Sequence, residues 1–587
     1  MKPLQKSQKH HVNSYDVAII GSGMAGSSLA AILARQGLNV LVFEAKSHPR
    51  FAIGESMILE TSEVMRAMAE LYDVPELAYF SSENYVSRIG TSHGVKRHFS
   101  FLHHTEGNVP TSNEVLQAVI PKEPHGHELH IYRQDSDAFL VSTAISYGAT
   151  ILQNTPVTAV DIEDDSVRIY TQNAIYHASY VVDAGGFKSV LAEKFQLREV
   201  NLQTHSRAIF THMVDVENFH EIIASKQHYG IPYDVTEGTL HHVFEGGWLW
   251  VIPFNNHTRS TNPLCSVGVM LDPRIYPKRE DVCAEDEFFD VIARFPSIQA
   301  QFNKAKAVRP WTRTERIQYS SKQIVGDRWA LLGHAAGFVD PLFSKGLYSS
   351  LSSVSLLAHL LLRAHTDNNY SRQAFLALEH KTLAFLKSND QLVASAYKSF
   401  TNHKLWHTYS VLWLAGAYTE LIKLISARVH AQNRHSYFDE VAPLQLVGGG
   451  FAQFEALNED IHELLQVFEH HDETQLHRVI DTIRQRFLQE DWLPQAFQDV
   501  LAGKNHLPRR KLRLSLLQQE TGFLGASDYK KHFFQHDQLM DVLKAFIQEK
   551  LRYSKRTVKQ NHFNNVRTSN KTLRPSWILK KIYNHSS

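Results

Sequence analysis

Three glycines stand at the spacing that a bound pyrophosphate demands. In "GSGMAG", residues 21–26, Gly21 permits a tight turn, Gly23 lets backbone approach the phosphates, and Gly26 lets a helix close on a strand. Glu44 carries a carboxylate suited to a ribose diol. A second cluster lies in "GGWLWVIPFNN", 246–256, where Trp248 and Trp250 point to one face of a strand that Pro253 then ends. Core packing explains such a pair as readily as a rigid functional wall does.

The flanking segments supply the elements these residues need. "YDVAII", 15–20, reads as a strand, "SSLAAILARQ" as a helix closed by Gly37, and "NVLVFE" as a strand ending on Glu44. The helix N-terminus then faces the phosphates. Later segments favour FAD over NAD. "HIYRQDSDAFL", 130–140, sets Arg133 and Asp137 before an amphipathic helix, and "YVVDAGGFKSVLA", 180–192, is a strand running into a glycine turn. "GDRWALLGHAAGFVDPLFSKGLYSSLSSV", 326–354, reads as strand, glycine turn, proline segment and a helix starting near Gly346. That helix start suits the electron-rich end of a reduced isoalloxazine. No second complete glycine turn is present for NAD(P)H, so one noncovalent FAD and a separate flavin reductase are expected.

Four stretches together resemble the flavin-dependent halogenases, within the larger group of FAD monooxygenases built like p-hydroxybenzoate hydroxylase. They are "GSGMAG", "PRFAIGES" at 49–56, "WLWVIP" at 248–253 (the family's WxWxIP) and "FVDPLFSKG" at 338–346 (its FxxPxxSxG). The resemblance implies an α/β, Rossmann-type FAD core with a β-sheet substrate region. It implies flavin contacts at Gly21, Gly23, Ala25, Gly26, Glu44, Arg50, Arg133, His334, Pro341, Gly346 and Leu347, with FAD used as FADH2. Trp248, Trp250, Pro253, Ser344 and Lys345 fall on positions around the halide site and the tunnel, where the tryptophans keep organic substrate off the flavin. The catalytic residue the resemblance implies is a lysine on the path of hypohalous acid. Lys96 is the single lysine between "GES" and Pro121, and the alternation of Phe99 and Phe101 after it suggests a strand lining a pocket. An ordinary exposed loop lysine beside Arg97 is the competing reading. Three positions depart from the usual pattern. Phe343 replaces the acid of the tryptophan-specific branch, as in enzymes of phenols and pyrroles. Lys345 replaces a small residue, and could attract an anion or point to solvent. His334 replaces an aspartate at the ribityl chain.

The bulk numbers fit this picture. At 587 residues the chain exceeds one compact core, and 43% apolar with 21% charged residues is globular. A net charge of +1 gives no pull toward nucleic acid, and two cysteines, Cys265 and Cys283, suit a reducing cytoplasm. The apolar stretches at 347–363 and 405–425 are interrupted by polar residues and read as buried helices rather than membrane spans. The histidines, His103–His104 and His470–His471 among them, show no metal-ligand spacing. The organisation expected is a polar tail at 1–14, a flavin and substrate core at 15–365, a helical region at 366–550 capping the substrate pocket, and a basic tail at 551–587. Between 552 and 587 nine Lys or Arg stand with no Asp or Glu, which reads as a solvated, partly disordered tail or as a docking patch for an acidic partner such as an acyl carrier protein or membrane lipid. The function expected is halogenation of a small electron-rich phenol or pyrrole, free or carrier-bound. The alternatives are an FAD hydroxylase or geranylgeranyl-reductase-like enzyme on the same scaffold, and a catalytically silent flavoprotein.

Overall fold

The computed structural model describes residues 14–121, 126–224, 229–468 and 473–506, with isolated positions beyond. The polar start of the chain, His470–His471 and the basic tail lie outside the described residues, apart from Ser14 and Leu551.

Ser14–Ile20 is a central strand of a twisted sheet. Its neighbours run in the order Val325–Gly326, Trp329–Leu331, Ile175–Asp183, Ser14–Ile20, Val40–Phe43, Thr150–Leu152. The four pairings from Trp329–Leu331 to Thr150–Leu152 are parallel. Val17–Ile20 and Val40–Phe43 are buried throughout, as expected of strands covered on both faces. Helix Met24–Arg35 follows the glycine turn and packs on helices Arg133–Ser146 and Lys345–Asp367. Arg133 and Asp137 therefore lie inside the first turns of a helix, not before it.

A second sheet runs Lys306–Ala307, Arg207–Val214, Cys265–Leu271, Gly247–Pro253, Thr239–Phe244, His98–His104, Val115–Val119. Its pairings along this path are antiparallel except that of Thr239–Phe244 with His98–His104. The strand from Gly247 to Pro253 is buried at every residue, and the period of two divides it cleanly. Trp248, Trp250 and Ile252 join the main core, whereas Leu249 and Val251 join a smaller core with Phe288, Phe295 and Ile298. Both readings of the tryptophan pair thus begin from a true same-face arrangement.

Helices Lys345–Asp367, Leu376–Ser399 and His403–His430 form a layer over the sheets, followed by Arg434–Val441, Ala452–Gln466 and Glu473–Gln489. Leu476, Val479, Ile480, Ile483 and Phe487 recur at helical spacing on Glu473–Gln489, and the last four are buried. The main core runs from Val17 to Leu501 without a break, and helix Lys345–Asp367 passes straight through position 365. Residues 446–451, "LVGGGF", form a tight turn in which Val447, Gly448, Gly449 and Gly450 all take positive φ. Among the described residues no helix is long and apolar enough to cross a membrane.

One glycine controls the tryptophan face. A β-carbon at Gly268 would sit 2.2 Å from Cζ2 of Trp250 and 2.5 Å from Cβ of Phe210. Gly268→Val is expected to lower stability by about 1–3 kcal/mol through overpacking, read from the midpoint of urea unfolding.

Candidate active site

The glycine turn separates structural from functional positions. Gly21 has φ +97°, and a β-carbon there would meet the Ala184 carbonyl oxygen at 2.6 Å; one at Gly26 would lie 2.0 Å from the Gly21 carbonyl oxygen. Gly23 has ordinary extended angles, and its missing β-carbon has only Arg50 Nη2 at 3.6 Å and Asp137 Oδ2 at 4.0 Å for neighbours. Gly23 caps helix Met24–Arg35 with no side-chain hydrogen bond, leaving the amides of the first turn for an external anion. Ala25 follows in that turn. Arg50 bridges to Glu44, Nη2 to Oε2 at 3.1 Å, and its Nε has no partner. Glu44 also accepts from Ser22 Oγ at 2.8 Å. Burial raises the Glu44 pKa, but Arg50 and the donated hydrogen bonds outweigh it and keep the carboxyl below its usual range.

A second cradle forms at the proline loop. Ser344 takes left-handed angles, φ 55°, and starts helix Lys345–Asp367 with no side-chain cap, while its amide donates to the Pro341 carbonyl at 2.9 Å. Gly346 lies in the first turn, and a β-carbon there would be 3.2 Å from His334 Nε2. Leu347 beside it is buried. His334 Nε2 is itself buried without a partner, and burial with Arg133 nearby lowers its pKa to about 4, so the ring stays neutral. Arg133 is fixed on Asp137 by two bonds of 2.8 and 2.9 Å and donates to the Ile53 and Gly54 carbonyls.

Between these cradles and the second sheet lies Lys96, the last residue of the short strand Gly94–Lys96. It is fully buried, not an exposed loop residue. Its Nζ donates to Ser56 Oγ at 2.7 Å and the Met57 carbonyl at 3.1 Å, reaches Ser344 Oγ at 3.5 Å, and sits 3.3 Å above the centre of the Phe99 ring. Burial pulls its pKa well below the usual lysine value, against the opposing pull of Glu128 and Glu60. Burial likewise raises the pKa of Glu128, the cross-strand partner of Lys96. A chain of hydrogen bonds continues from Ser56 to Thr239 Oγ1 at 3.1 Å, from Thr239 to His130 Nε2 at 2.9 Å, and from His130 Nδ1 to the Pro253 carbonyl at 2.9 Å. The carbonyl oxygen of Pro253 also presses on Gly94, where a β-carbon would stand 2.2 Å away. Three of the four sequence stretches, "GES", "WLWVIP" and "FSKG", therefore meet around one amine.

Trp248 and Trp250 lie 5.7 Å apart between ring centres, tilted by 48°. Trp250 Nε1 donates to Ser266 Oγ at 3.2 Å. Trp248 Nε1 donates to Tyr397 Oη at 3.1 Å, and Tyr397 donates to Asp340 Oδ2 at 3.0 Å. Burial pushes the Asp340 carboxyl up to about 6 despite the bond from Ser206. On the same side Phe99 and Phe101 meet Trp413 edge-on at 5.3 and 5.4 Å, and Phe343 stacks on Trp413 at 4.9 Å.

Residues 96–519 match the family model described as tryptophan halogenase, and residues 19–56 match the NAD(P)-binding Rossmann-like domain. The chain belongs to the tryptophan halogenase family. Over 441 residues it is 45% identical to monodechloroaminopyrrolnitrin halogenase PrnC of Pseudomonas fluorescens, covering 74% of this chain and 76% of that one. It is 40% identical over 413 residues to tetracycline 7-halogenase of Kitasatospora aureofaciens, covering 70% and 74%. The crystal structure of halogenase PltM in complex with phloroglucinol and FAD superposes with a TM-score of 0.77 at 32% identity, covering 84% of this chain and 99% of that chain.

The cofactor of this halogenase is FAD, and its residues fit the group: an uncapped helix start at Gly23, an unpartnered Arg50 Nε, and a neutral His334 with a buried ring nitrogen that no protein group bonds. Lys345 departs from expectation. It points neither to solvent nor toward a free anion: its Nζ donates to Glu60 Oε1 at 2.6 Å and Glu420 Oε2 at 3.1 Å, wholly inside the protein. Burial pushes its pKa down, but the two carboxylates outweigh this and hold the ammonium charged. Glu420 in turn accepts from the Val447 amide at 2.9 Å, tying the helix start to the glycine turn. Ser56, Thr239, His130 and Glu128 join this network in the fold without forming a motif of their own in the sequence. Ser56 stood in a quoted motif, and Trp406 and Trp413 share a helical face at a seven-residue spacing, but His130 and Thr239 carry no local signal.

Two outcomes follow for the purified halogenase. Gly23→Leu should fold, with an apo melting temperature close to wild type, yet lose the flavin absorbance, because the side chain fills the pyrophosphate approach. Lys345→Met should lower unfolding free energy by about 3–5 kcal/mol, since it strands two buried carboxylates; chemical denaturation reads this directly.

Proposed function

We propose that this halogenase transfers chlorine or bromine to a small electron-rich phenol or pyrrole, with Lys96 as the catalytic residue. The observation that carries the reading is the burial of Lys96 between Ser56 and Ser344 with its amine against Phe99. The substrate class is supported by Phe343, which packs on Trp413 where the tryptophan-specific branch carries an acid. No carboxylate from that position is available to hold an amino-acid ammonium.

Bound FADH2 with oxygen supplies the oxidising equivalent that converts halide to hypohalous acid. The protein's own residues do the rest. Trp248 and Trp250, fixed through Tyr397 and Ser266, exclude the organic ring from the flavin side. Lys96 Nζ holds the hypohalous oxygen. As the carbon–halogen bond forms and the oxygen–halogen bond breaks, the departing hydroxide takes a proton from Nζ as water, and the proton released by the ring restores it. Ser56 and the Met57 carbonyl keep the amine aimed during this exchange. Reduced flavin comes from a separate reductase, given the single dinucleotide turn. The free thiols Cys265 and Cys283 support a cytoplasmic setting.

The test supplies a flavin reductase, bromide and a panel of free phenols, free pyrroles and a carrier-loaded pyrrole, with products read by mass spectrometry. Lys96→Ala and Lys96→Arg should oxidise FADH2 at near wild-type rates but lose at least ~100-fold in halogenated product. Arginine fails because its guanidinium stays protonated and is too broad for a site shaped around one ammonium. Wild-type levels of product from Lys96→Ala would remove Lys96 from the mechanism.

A further inference from the structure

We propose that His241 anchors the aromatic substrate, its Nε2 accepting a hydrogen bond from a ring hydroxyl or ring N–H. This rests on the substrate class proposed above and gives that class a physical origin. His241 lies on strand Thr239–Phe244, opposite Phe101 on one side and Trp250 on the other. Its ring stacks on Phe101 at 4.5 Å, 16° from parallel, and lies 5.5 Å from Trp248. It is therefore part of the aromatic face that Phe99, Phe101 and Trp248 present.

The hydrogen bonding of the ring fixes its tautomer. Nδ1 is 3.2 Å from the carbonyl oxygen of Ser100. A carbonyl can only accept, so Nδ1 carries the hydrogen and Nε2 carries a lone pair. Nε2 is the ring nitrogen remote from Cβ, so it projects away from the sheet backbone. Among the described residues no donor reaches it. The neighbouring histidines are built differently. His242 uses Nδ1 toward His104 and Nε2 toward Gln301, and His130 uses one nitrogen on Pro253 and the other on Thr239. Nε2 has no partner among the described residues, and a bound donor supplies one. Burial, with Lys96 nearby, also keeps the His241 ring neutral, so it can accept a hydrogen bond but does not act as an acid.

The placement relative to the amine gives the anchor a consequence. Phe99 lies under Lys96 Nζ at 3.3 Å and stacks beside His241 at 5.8 Å. An aromatic ring held by its hydroxyl or N–H at His241 spans the same phenylalanine and offers its activated carbons toward Lys96. A hydrogen bond donated by the substrate also enriches its ring in electrons, which favours electrophilic attack. Rings without a donor lose both effects.

The experiment uses the full-length, FAD-loaded halogenase. Binding of phenol, anisole, pyrrole and N-methylpyrrole is followed by quenching of tryptophan fluorescence, without halide. Wild type should bind phenol and pyrrole about tenfold more tightly than their methylated counterparts, a difference of about 1.4 kcal/mol. His241→Phe keeps the stacking and removes the acceptor, so it should bind each pair with equal affinity. His241→Gln, with a carbonyl oxygen to accept, should retain part of the preference. Equal binding of each pair by wild type, or an undiminished preference in His241→Phe, overturns the proposal. Should His241→Phe fail to retain FAD, the wild-type ratio together with that of His241→Gln decides. Turnover of the panel separates this from the substrate class. A binding preference without halogenated phenol or pyrrole keeps the anchor and removes the reaction assigned to it. Halogenation without a preference removes the anchor alone.

Discussion

An amine with no water around it is the constraint on which the site depends. Lys96 is fully buried, and an isolated charge there would be expelled or neutralised. The fold answers by bringing acceptors to Nζ from remote parts of the chain: the hydroxyl of Ser56, the carbonyl of Met57 and, more distantly, the hydroxyl of Ser344. Each of these lies in or beside the stretches "GES" and "FSKG". The position of the amine is therefore set by segments far apart in sequence, and it does not shift alone.

The second sheet performs a sorting operation. Because its strands are covered on both faces, every residue from Gly247 to Pro253 is apolar or packed, and composition alone does not tell one face from the other. The period of two makes the distinction: tryptophans toward the main core, Leu249 and Val251 toward the separate small core. The absence of a side chain at Gly268 is what allows Trp250 to lie flat against the sheet. Hydrogen bonds to Ser266 and Tyr397 then keep the two indoles from rotating.

Much of this was readable in the sequence where the signal is local. The glycine turn, its helix and the strands around it follow from spacing and periodicity; the strands fall within a residue of the reading, and the helix starts three residues earlier, at Met24, inside the glycine motif. Lys96 stands out as the one lysine in a long interval, but the alternation of Phe99 and Phe101 marks the next strand, His98–His104, whereas Lys96 ends the separate strand Gly94–Lys96. What could not be read is what only tertiary pairing creates. His130 and Thr239 join the lysine network because Gly94–Lys96 pairs with Glu128–His130, a contact between short strands with no motif. Lys345 misleads for the same reason. Its partners Glu60 and Glu420 are 285 and 75 residues away, so a charge beside a halide motif looks available until the two carboxylates are in place.

The unbroken core across residue 365 has a consequence for how such an enzyme can change. A helical cap resting on a finished flavoprotein could be exchanged like a lid, and substrate range would evolve without touching the cofactor. Here helix His403–His430 brings Trp406 and Trp413 to the aromatic face and Glu420 to the lysine that opens helix Lys345–Asp367. Recombination that swaps the carboxy-terminal half therefore replaces the counter-ion of Lys345 along with the tryptophans of the aromatic face. Chimeras between relatives inherit both or lose both. Substrate range in this architecture is expected to drift by point substitution within the pocket more readily than by exchange of whole segments.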